Sequence, residues 1–379
     1  MLTNSPIFIQ NSGAYIFRPS TPGQKLKTID YLQRGAKFFK RKWGWEVQAQ
    51  FKEPWIQQTT RVLNNASYIE VEYTIGPIPI GDGRGKEIVT RLVTPIQSDA
   101  TFFTDSNGRE FFERKRDHRP SWPIEVFEPV SGNYYPINAA IYIEDENASL
   151  AVLTDRTQGG GSILDGSVEL MAQRRLLADD QRGVKEPLNE TAGGVNPYPP
   201  YGDATRYGEG MVVRGNYRIM VGKGKSGASL ARSEMDRAFS SPLIFVASAP
   251  SAGSAPPIKA THSGLMGHLP PNVMLVTFKK LDRPKYYLVR LAHQYGVGED
   301  AKLSRNVTLD LAFLFPGFKL ANATEYTLSA NRKWNDWQHK RFDWTGLGPL
   351  PKSPISDDNT IFTLQPMEVR TFVLKMEAK

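Results

Sequence analysis

The sequence predicts an all-β protein built mainly from short antiparallel strands, and three observations favour this class. Turn formers are abundant, with 32 glycines and 27 prolines, and aromatic residues make up 11% of the chain. Residues Tyr68 to Ile75 alternate apolar and polar side chains with the period of two that is typical of a half-buried strand. Asn107-Gly108 is a strong signal for a tight hairpin. Short strands joined by such turns build sandwiches or barrels.

The length and local composition indicate more than one domain. A chain of 379 residues can bury two or three separate cores. We predict a large antiparallel β-sandwich over residues 1–241 and a smaller β domain over 259–379. A stretch rich in Ser, Ala and Pro predicts a linker at 242–258. Just before it, Ser229 to Phe239 places apolar residues on one face and predicts one short helix between the domains.

The other predicted strands follow in order along the chain. In the first domain they are 102–112, 134–144, 149–155 and a run that begins at Met211. Between the last two, residues 193–210 are rich in Gly, Pro and Tyr without periodicity, which predicts a long surface loop. The second domain is expected to contain a hairpin of 273–281 with 285–293, and two runs within 361–376 that Pro366 separates.

The stretch from Ala148 to Pro187 has the most unusual pattern. A short apolar run precedes a glycine triplet at 159–161, and a second apolar run precedes a charged segment that contains Arg174, Arg175, Asp179, Asp180 and Arg182. We interpret it as strand, glycine turn, strand and charged loop. The charged side chains either form a structural ion-pair cluster at the mouth of the sandwich, or one of them contacts a polar ligand. The spacing does not choose between these.

Charge and composition exclude some classes of function. The formal charge of +8 is spread along the chain, and its densest basic stretch, Arg109 to Arg119, is interrupted by acidic residues. Nucleic-acid binding would need a continuous basic stripe with stacking aromatics. No apolar run approaches the roughly 20 residues that span a bilayer. The chain has no cysteine, so disulfides and thiolate metal sites are excluded. Neither a nucleic-acid nor a membrane partner is therefore expected.

Several longer blocks carry a family resemblance. The wording TDRTQGGGSILDGSVELMAQRRLLADDQRG from Thr154, SGAYIFRP from Ser12 and FFTDSNGREFFERKRDHRPSW from Phe102 resembles the C-terminal half of glycoside hydrolase family 38, the α-mannosidases, specifically the lysosomal type. Later blocks, HQYGVGED from His293 and LQPMEVRTFVL from Leu364, follow in the expected order. The resemblance implies a galactose mutarotase-like supersandwich followed by a smaller β-sandwich. It also implies the retaining hydrolysis of terminal α-linked mannose from glycans.

The same resemblance implies that the metal site lies elsewhere in the enzyme. Family 38 enzymes hold zinc with two histidines and two aspartates, one of them the nucleophile, on an N-terminal α/β domain, and the first ligands form a His-x-Asp pair. None of the five histidines here is followed two residues later by Asp. We therefore expect this chain to bind no metal, to lack the catalytic domain that is its partner, and to be inactive alone.

An independent catalytic centre is a weaker prospect. A retaining glycosidase needs two carboxylates roughly 5 Å apart. The acidic residues of the unusual stretch could supply such a pair only if the fold brings two of them together; they are Asp155, Asp165, Glu169, Asp179 and Asp180.

The resemblance also implies which residues support the sugar site. The tyrosine of the SGAY block and the arginine of the DD-x-RG block contact sugar hydroxyls in the family, and they match Tyr15 and Arg182. A phenol and a guanidinium suit vicinal hydroxyls. Arg175 and Asp180 are expected to hold Arg182 in position. The alternatives are a rim tyrosine that caps the sandwich and an arginine paired with Asp179 or Asp180.

Two further points stay open in the sequence. Trp334, Trp337 and Trp344 are candidates either for core packing or for a sugar-stacking platform. A lysosomal, vacuolar or secretory location is implied by the resemblance, and five Asn-x-Ser/Thr sequons, at Asn65, Asn147, Asn189, Asn306 and Asn322, are compatible with it. A stand-alone, non-catalytic carbohydrate-binding β-sandwich protein is the alternative function.

Overall fold

The computed structural model describes residues 13, 16–18, 29–178, 186–191, 193–195, 208–240, 243–246, 263–265, 268–338, 340, 342 and 360–379. Within them the predicted all-β class is confirmed, because antiparallel strands dominate and helices are few. The chain divides into two compact units, Met1–Ser240 and Ser241–Lys379, called unit 1 and unit 2 below. The predicted linker at 242–258 lies mostly outside the described residues. None of the described helices is long and apolar enough to cross a bilayer.

Unit 1 contains fifteen of the described strands and one of the described α-helices. The strands are β1 (Tyr31–Arg41), β2 (Gly44–Phe51), β3 (Ile56–Leu63), β4 (Ile69–Ile75), β5 (Lys86–Val93), β6 (Thr101–Asp105), β7 (Phe111–Lys115), β8 (Tyr135–Ile137), β9 (Ala140–Glu144), β10 (Ala148–Thr154), β11 (Gln158–Gly161), β12 (Ser167–Arg175), β13 (Glu190–Thr191), β14 (Gly194–Val195) and β15 (Val213–Lys223). The helix is α1 (Gly227–Phe239).

Two sheets of unit 1 enclose the main core. A nine-stranded sheet has the order β1-β2-β3-β4-β15-β10-β9-β6-β7, and a four-stranded sheet has the order β5-β12-β11-β8. Buried side chains from both sheets meet between them, among them Tyr73 and Tyr217 of the larger sheet and Ile137 and Leu170 of the smaller one. Burial of this apolar surface is the main force that joins the sheets.

The opposite face of the larger sheet is covered by α1. Ala231 and Met235 of the helix pack against Tyr142, Leu153 and Met220. The sequence predicts this helix correctly, but the helix begins two residues earlier than predicted, at Gly227. A side chain there would collide with the ring of Tyr142, so glycine permits the close approach of the helix to the sheet.

Two predicted elements of unit 1 were wrong in detail. The predicted strand 134–144 is broken into β8 and β9, which belong to different sheets. At the break, one carboxylate oxygen of buried Asp105 accepts hydrogen bonds from the amides of Ala139 and Ala140, both at 2.9 Å. The glycine triplet 159–161 is part of strand β11 rather than a turn. The chain turns instead at Gly166, whose φ of 70° favours glycine.

Unit 2 is a smaller β structure with its own core. Its strands are β16 (Val273–Lys280), β17 (Tyr286–His293), β18 (Val307–Asp310), β19 (Phe318–Tyr326), β20 (Ile361–Leu364) and β21 (Val369–Ala378), with short helices α2 (Leu311–Leu314) and α3 (Trp334–Gln338). A four-stranded sheet β16-β17-β21-β19 packs on the pair β18-β20 through Phe362, Phe372 and Leu291. The predicted hairpin and the break near Pro366 are confirmed.

Candidate functional site

Three of the four residues predicted from the sequence to support a sugar site lie outside the described residues. They are Tyr15, Asp180 and Arg182, as is Asp179 beside them. Arg175, at the end of β12, is described, and so are residues on both sides of Tyr15: Gly13 and 16–18. The described geometry around β12 is that of Arg174, Arg175 and the residues they contact.

Arg174 joins β12 to the segment that carries Tyr15. Its guanidinium donates a hydrogen bond to the carbonyl oxygen of Gly13 at 2.7 Å and lies over the ring of Phe17, with 5.7 Å between guanidinium carbon and ring centroid. The same group is ion-paired with Glu87 of β5, its direct cross-strand partner, at 2.6 Å. Tyr15 is thus bracketed in sequence by two residues, Gly13 and Phe17, that contact one arginine.

Behind Phe17 lies a buried polar cluster. The Phe17 ring is 4.9 Å from the ring of Tyr134, whose hydroxyl donates a hydrogen bond to Glu169. Glu169 of β12 is only 1% exposed, and its second carboxylate oxygen accepts from Nε of Arg91 on β5 at 2.7 Å. Burial, and then the negative charge of Glu169, raise the pKa of the Tyr134 hydroxyl well above its ordinary value. Tyr134 therefore acts as a neutral donor that holds Glu169 and supports Phe17.

Arg175, the neighbour of Arg174, points to a different set of partners. It is 9% exposed, its Nε donates to the amide oxygen of Asn189 at 2.7 Å, and its Nη1 donates to the carbonyl oxygen of Ile78 at 2.7 Å. The backbone of Gly210 lies against the guanidinium so closely that a Cβ there would be 2.3 Å from Nη1. Burial lowers the pKa of Arg175. Arg175 thus fastens the residues on either side of 196–207; that it also orients Arg182 stays a prediction.

The glycines of β11 let this region pack closely. A Cβ on Gly161 would lie 2.4 Å from the carbonyl oxygen of Asn133, and one on Gly160 would lie 2.7 Å from that of Glu169. The backbone approaches its neighbours at these positions as only glycine allows. Close backbone approach is therefore the role of Gly160 and Gly161 in this structure.

Sequence reasoning missed Glu87, Arg91, Tyr134 and Phe17 as members of this region. The two ion pairs are direct cross-strand partners, since Arg174 lies opposite Glu87 and Glu169 opposite Arg91. Opposite charges at such positions stabilise a strand pair. The charges are four residues apart on β5 and five apart on β12, because the register shifts between Met171 and Gln173. Because of this bulge, the charged residues of β5 and β12 are not equally spaced in the sequence, so their pairing cannot be recognised from the spacing.

The carboxylates that could have formed an independent catalytic pair are engaged separately. Each of the three described ones is held by an arginine of its own, in the pairs Asp155 with Arg156, Asp165 with Arg116 and Glu169 with Arg91. Asp165 also accepts from the amide of Ala100 at 2.9 Å. Arg91, Arg116 and Arg156 are thus structural partners of single carboxylates, and no two of these three carboxylates share one of them.

The described residues also do not supply a metal site. Among them, no group of three or more His, Asp or Glu side chains is arranged to hold one ion. His293, on β17, is fully buried, and both of its ring nitrogens contact backbone atoms. Its Nε2 lies 2.9 Å from the carbonyl oxygen of Arg305, and its Nδ1 lies 3.2 Å from the amide nitrogen of Tyr295. The described residues therefore do not match the set of two histidines and two aspartates that the resemblance implies for the intact enzyme.

The predicted tryptophan group is placed in part. Trp334 and Trp337 lie on α3 with ring centroids 5.0 Å apart and planes inclined by 38°, while Trp344 lies outside the described residues. Both described rings are half-buried, and neither belongs to the hydrophobic core of unit 2. Their mutual packing accounts for the pair.

Comparisons with known proteins agree with the geometry. The family model described as "Glycosyl hydrolases family 38 C-terminal domain" matches residues 4–182, and that described as "Glycosyl hydrolases family 38 C-terminal beta sandwich domain" matches 272–372. The lysosomal α-mannosidases of Bos taurus and Homo sapiens are both 41% identical to this chain, over 99% and 98% of it. An α-mannosidase of Canavalia ensiformis is 38% identical over 97%.

The matches cover only part of each relative. The chain spans 36% of the bovine protein, 35% of the human protein and 37% of the Canavalia protein. The crystal structure of an α-mannosidase from Enterococcus faecalis V583 superposes on 89% of this chain and 35% of its own, with a TM-score of 0.55 and 11% identity, and so supports the fold. Two C-terminal family models in the right order, together with this identity over nearly the whole chain, show that the chain belongs to glycoside hydrolase family 38 and corresponds to its C-terminal domains.

Proposed function

We propose that this chain is the C-terminal β portion of an α-mannosidase that hydrolyses terminal, non-reducing α-D-mannose residues of glycans with retention of configuration. The observation that carries the proposal is the pattern of coverage. Identity to lysosomal α-mannosidases is 41% over 99% of this chain but extends over only 36% of the bovine protein. The part of the enzyme that carries out the chemistry then lies in the remaining length, and this chain packs on a zinc-bearing catalytic domain.

In this proposal the chain contributes binding rather than chemistry. Tyr15 and Arg182 donate hydrogen bonds to sugar hydroxyls, since a phenol and a guanidinium present fixed donors to vicinal oxygens. The contacts of Arg174 with Gly13 and Phe17 support the Tyr15 side of the site. On the other side, Arg175 is buried and fixed at the end of β12, seven residues before Arg182. A rigid scaffold of this kind limits the entropy lost when a sugar binds.

The attacking carboxylate and the acid catalyst are assigned to the catalytic domain. A retaining mechanism needs two carboxyl groups close together at the scissile bond. The described carboxylates of the β10–β12 region are each neutralised by an arginine instead. In the intact enzyme, zinc would supply Lewis-acid chemistry, and the residues that hold it would lie outside this chain.

The test uses the chain alone and then the intact enzyme. Residues 1–379 should show no hydrolysis of an aryl α-mannoside with or without added zinc; turnover by this chain would overturn the proposal. In the intact enzyme, Tyr15→Phe and Arg182→Ala should each lower kcat/KM, Arg182→Ala by a factor of about 10 to 100, the scale expected for removal of a charged hydrogen bond. Arg237→Ala, on the exposed side of α1, serves as the control and should change it less than twofold.

A second candidate is a stand-alone, non-catalytic carbohydrate-binding protein. It is favoured by the two separate cores, because each unit buries its own cluster of apolar side chains. The two candidates differ in where the sugar is recognised. A mannose-containing glycan that binds residues 1–379 as tightly as it binds the intact enzyme would favour the stand-alone function.

The location proposed for the intact enzyme is the lysosome or vacuole. Its lysosomal relatives in Bos taurus and Homo sapiens support this. We also propose that the chain is a glycoprotein, since the sequon residues Asn65, Asn147 and Asn306 are exposed. Release of N-glycans from protein made in a secretory host, followed by mass measurement, tests this point.

A further inference from the structure

Arg114, on β7, and Arg119, which follows it, have no acidic partner among the described residues. The guanidinium carbons of Arg114 and Arg119 lie 4.3 and 5.1 Å from the centroid of the Tyr135 ring. Both side chains are half-buried, and neither forms an ion pair with any carboxylate of the described residues. Burial lowers the pKa of Arg114, Tyr135 partly offsets this, and the charge of Arg119 lowers the pKa further. The rings of Tyr135 and, for Arg114, of Phe112 offset part of the cost of desolvating these cations, and an anion would offset it further.

An open cavity lies next to this pair. Residues 117–124 line a space of about 460 Å³, which is large enough for a monosaccharide. Arg119 is part of its wall. The cavity therefore brings a ligand-sized space and an unneutralised guanidinium together.

The floor of the cavity is held in place by hydrogen bonds. The Asn133 side chain, which is 1% exposed, accepts from the amide of Asp117 at 2.9 Å and donates to its carboxylate at 2.8 Å. Arg119 donates to the carbonyl oxygens of His118 at 2.8 Å and Gly132 at 3.1 Å. These bonds use only part of its five donors, so the guanidinium is fixed and still has N–H groups to offer.

The rest of the wall suits a sugar ring. Trp122 is 57% exposed, although large apolar side chains are normally buried. The indole of Trp122, the ring of His118 and the hydroxyl of Ser121 make no hydrogen bond to a described residue. An indole face packs well on the C–H face of a pyranose, and the free donors and acceptors suit its hydroxyls.

We propose that this cavity binds a sugar unit that carries an anionic group, with the carboxylate or phosphate at Arg119 and the pyranose ring on Trp122. Asp117 is the one acid among these lining residues, and Asn133 holds its carboxylate by a hydrogen bond, so the anion is assigned to the Arg119 side of the cavity. Planar guanidinium groups match the oxygens of carboxylate and phosphate. The proposal requires neither Tyr15 nor Arg182 and does not rest on the mannosidase assignment.

The experiment is a calorimetric titration of residues 1–379 at low ionic strength, where charge contacts are least screened. Glucose 6-phosphate and glucuronate are the probes; glucose and inorganic phosphate isolate the ring and the anion. Each sugar anion should bind at least tenfold more tightly than glucose and than phosphate. Trp122→Ala and Arg119→Gln should each weaken this binding at least fivefold. Arg283→Gln, which alters a guanidinium 3.9 Å from the ring of Tyr286 in unit 2, is the matched control and should not change it.

Each other outcome overturns the proposal. Phosphate that binds as tightly as glucose 6-phosphate would leave an anion site without sugar recognition. Binding that survives both Trp122→Ala and Arg119→Gln would place the ligand elsewhere. If residues 1–379 bind the sugar anions but the intact enzyme does not, an acidic protein surface rather than a sugar neutralises these arginines. Because Trp122 is exposed, its variant should fold normally, which a thermal unfolding curve checks.

Discussion

The guanidinium of Arg174 donates a hydrogen bond to the carbonyl oxygen of Gly13 at 2.7 Å and so joins residues 161 positions apart in the chain. It also pairs with Glu87 at 2.6 Å and lies over Phe17. A long side chain with a planar, five-donor head can make all three contacts at once. One arginine therefore fixes the segment that contains Tyr15 to the β5–β12 edge of the smaller sheet.

Replacement of Arg174 by Ala should release this segment. The amide protons of residues 13–18 should exchange at least tenfold faster in Arg174→Ala, because the bond to Gly13 and the contact with Phe17 are both lost. The exchange rate in Arg174→Lys should lie between the rates in Arg174→Ala and in the unaltered chain, since an ammonium keeps the charge but not the planar, forked geometry of the guanidinium. Hydrogen exchange of residues 1–379, read by mass spectrometry, measures this. The same exchange rate in Arg174→Ala, Arg237→Ala and the unaltered chain would show that Arg174 does not hold the segment.

Sequence patterns alone gave much of the fold but little of the site's support. Strands with strict alternation, such as β4, were predicted nearly to the residue because a half-buried strand needs that period. The break between β8 and β9 was missed because it depends on Asp105, more than 30 residues earlier, which captures the amides of Ala139 and Ala140. Contacts of this range leave no local trace in the sequence.

The glycine triplet shows the same limit. Three glycines in a row are most simply a turn, and local propensity favours that interpretation. The strand conformation of β11 is instead imposed by its neighbours β8 and β12, which pair with it on both sides. Tertiary contacts thus override the local preference at this position.

Gly161→Ala should destabilise unit 1. The new Cβ would lie 2.4 Å from the carbonyl oxygen of Asn133, so either the backbone of β11 or the backbone at Asn133 must shift. Overpacking of this kind costs about 1–3 kcal/mol. Gly81→Ala is the matched control, because nothing lies within 4 Å of its new Cβ, and it should change stability by less than about 0.5 kcal/mol. Urea unfolding curves of the two variants measure the difference; equal midpoints would contradict the close approach.

Glu325→Ala should strongly destabilise unit 2. Glu325 and Arg370 form an ion pair in which both side chains are 6% exposed, and Nε of Arg370 donates to the carboxylate at 2.7 Å. Removal of the acid leaves a buried guanidinium without its counter-charge, which costs about 3–5 kcal/mol. Lys285→Ala removes the exposed pair with Glu377 in the same sheet and should cost at most about 1 kcal/mol. Similar losses in the two variants, measured by urea unfolding, would mean that burial of the Glu325 pair is unimportant.

Two carboxylates should give unit 1 opposite responses to pH. Burial raises the pKa of Glu144, although its carboxylate accepts a hydrogen bond from the amide of Gly227. The folded protein then binds this proton more tightly than the unfolded chain, so stability falls as pH rises from the usual carboxyl pKa through the raised one. Arg116 lowers the pKa of Asp165, so the stability that Asp165 contributes is present above the usual pKa and lost as pH falls through the lowered one.

Glu144→Gln and Asp165→Asn therefore make a matched pair of neutral substitutions. Relative to the unaltered chain, Glu144→Gln should become more stable as pH rises from about 4 towards neutrality, because the cost of a buried carboxylate is removed. Asp165→Asn should lose stability relative to the unaltered chain at lower pH, as pH rises from the lowered pKa to the usual Asp value of about 4, because the native chain gains the pair with Arg116 over that interval. Urea unfolding between about pH 3 and 7 measures both differences. The two differences must change in opposite directions with pH, since a shared slope would mean that the burial of Glu144 and the pairing of Asp165 do not govern their titration.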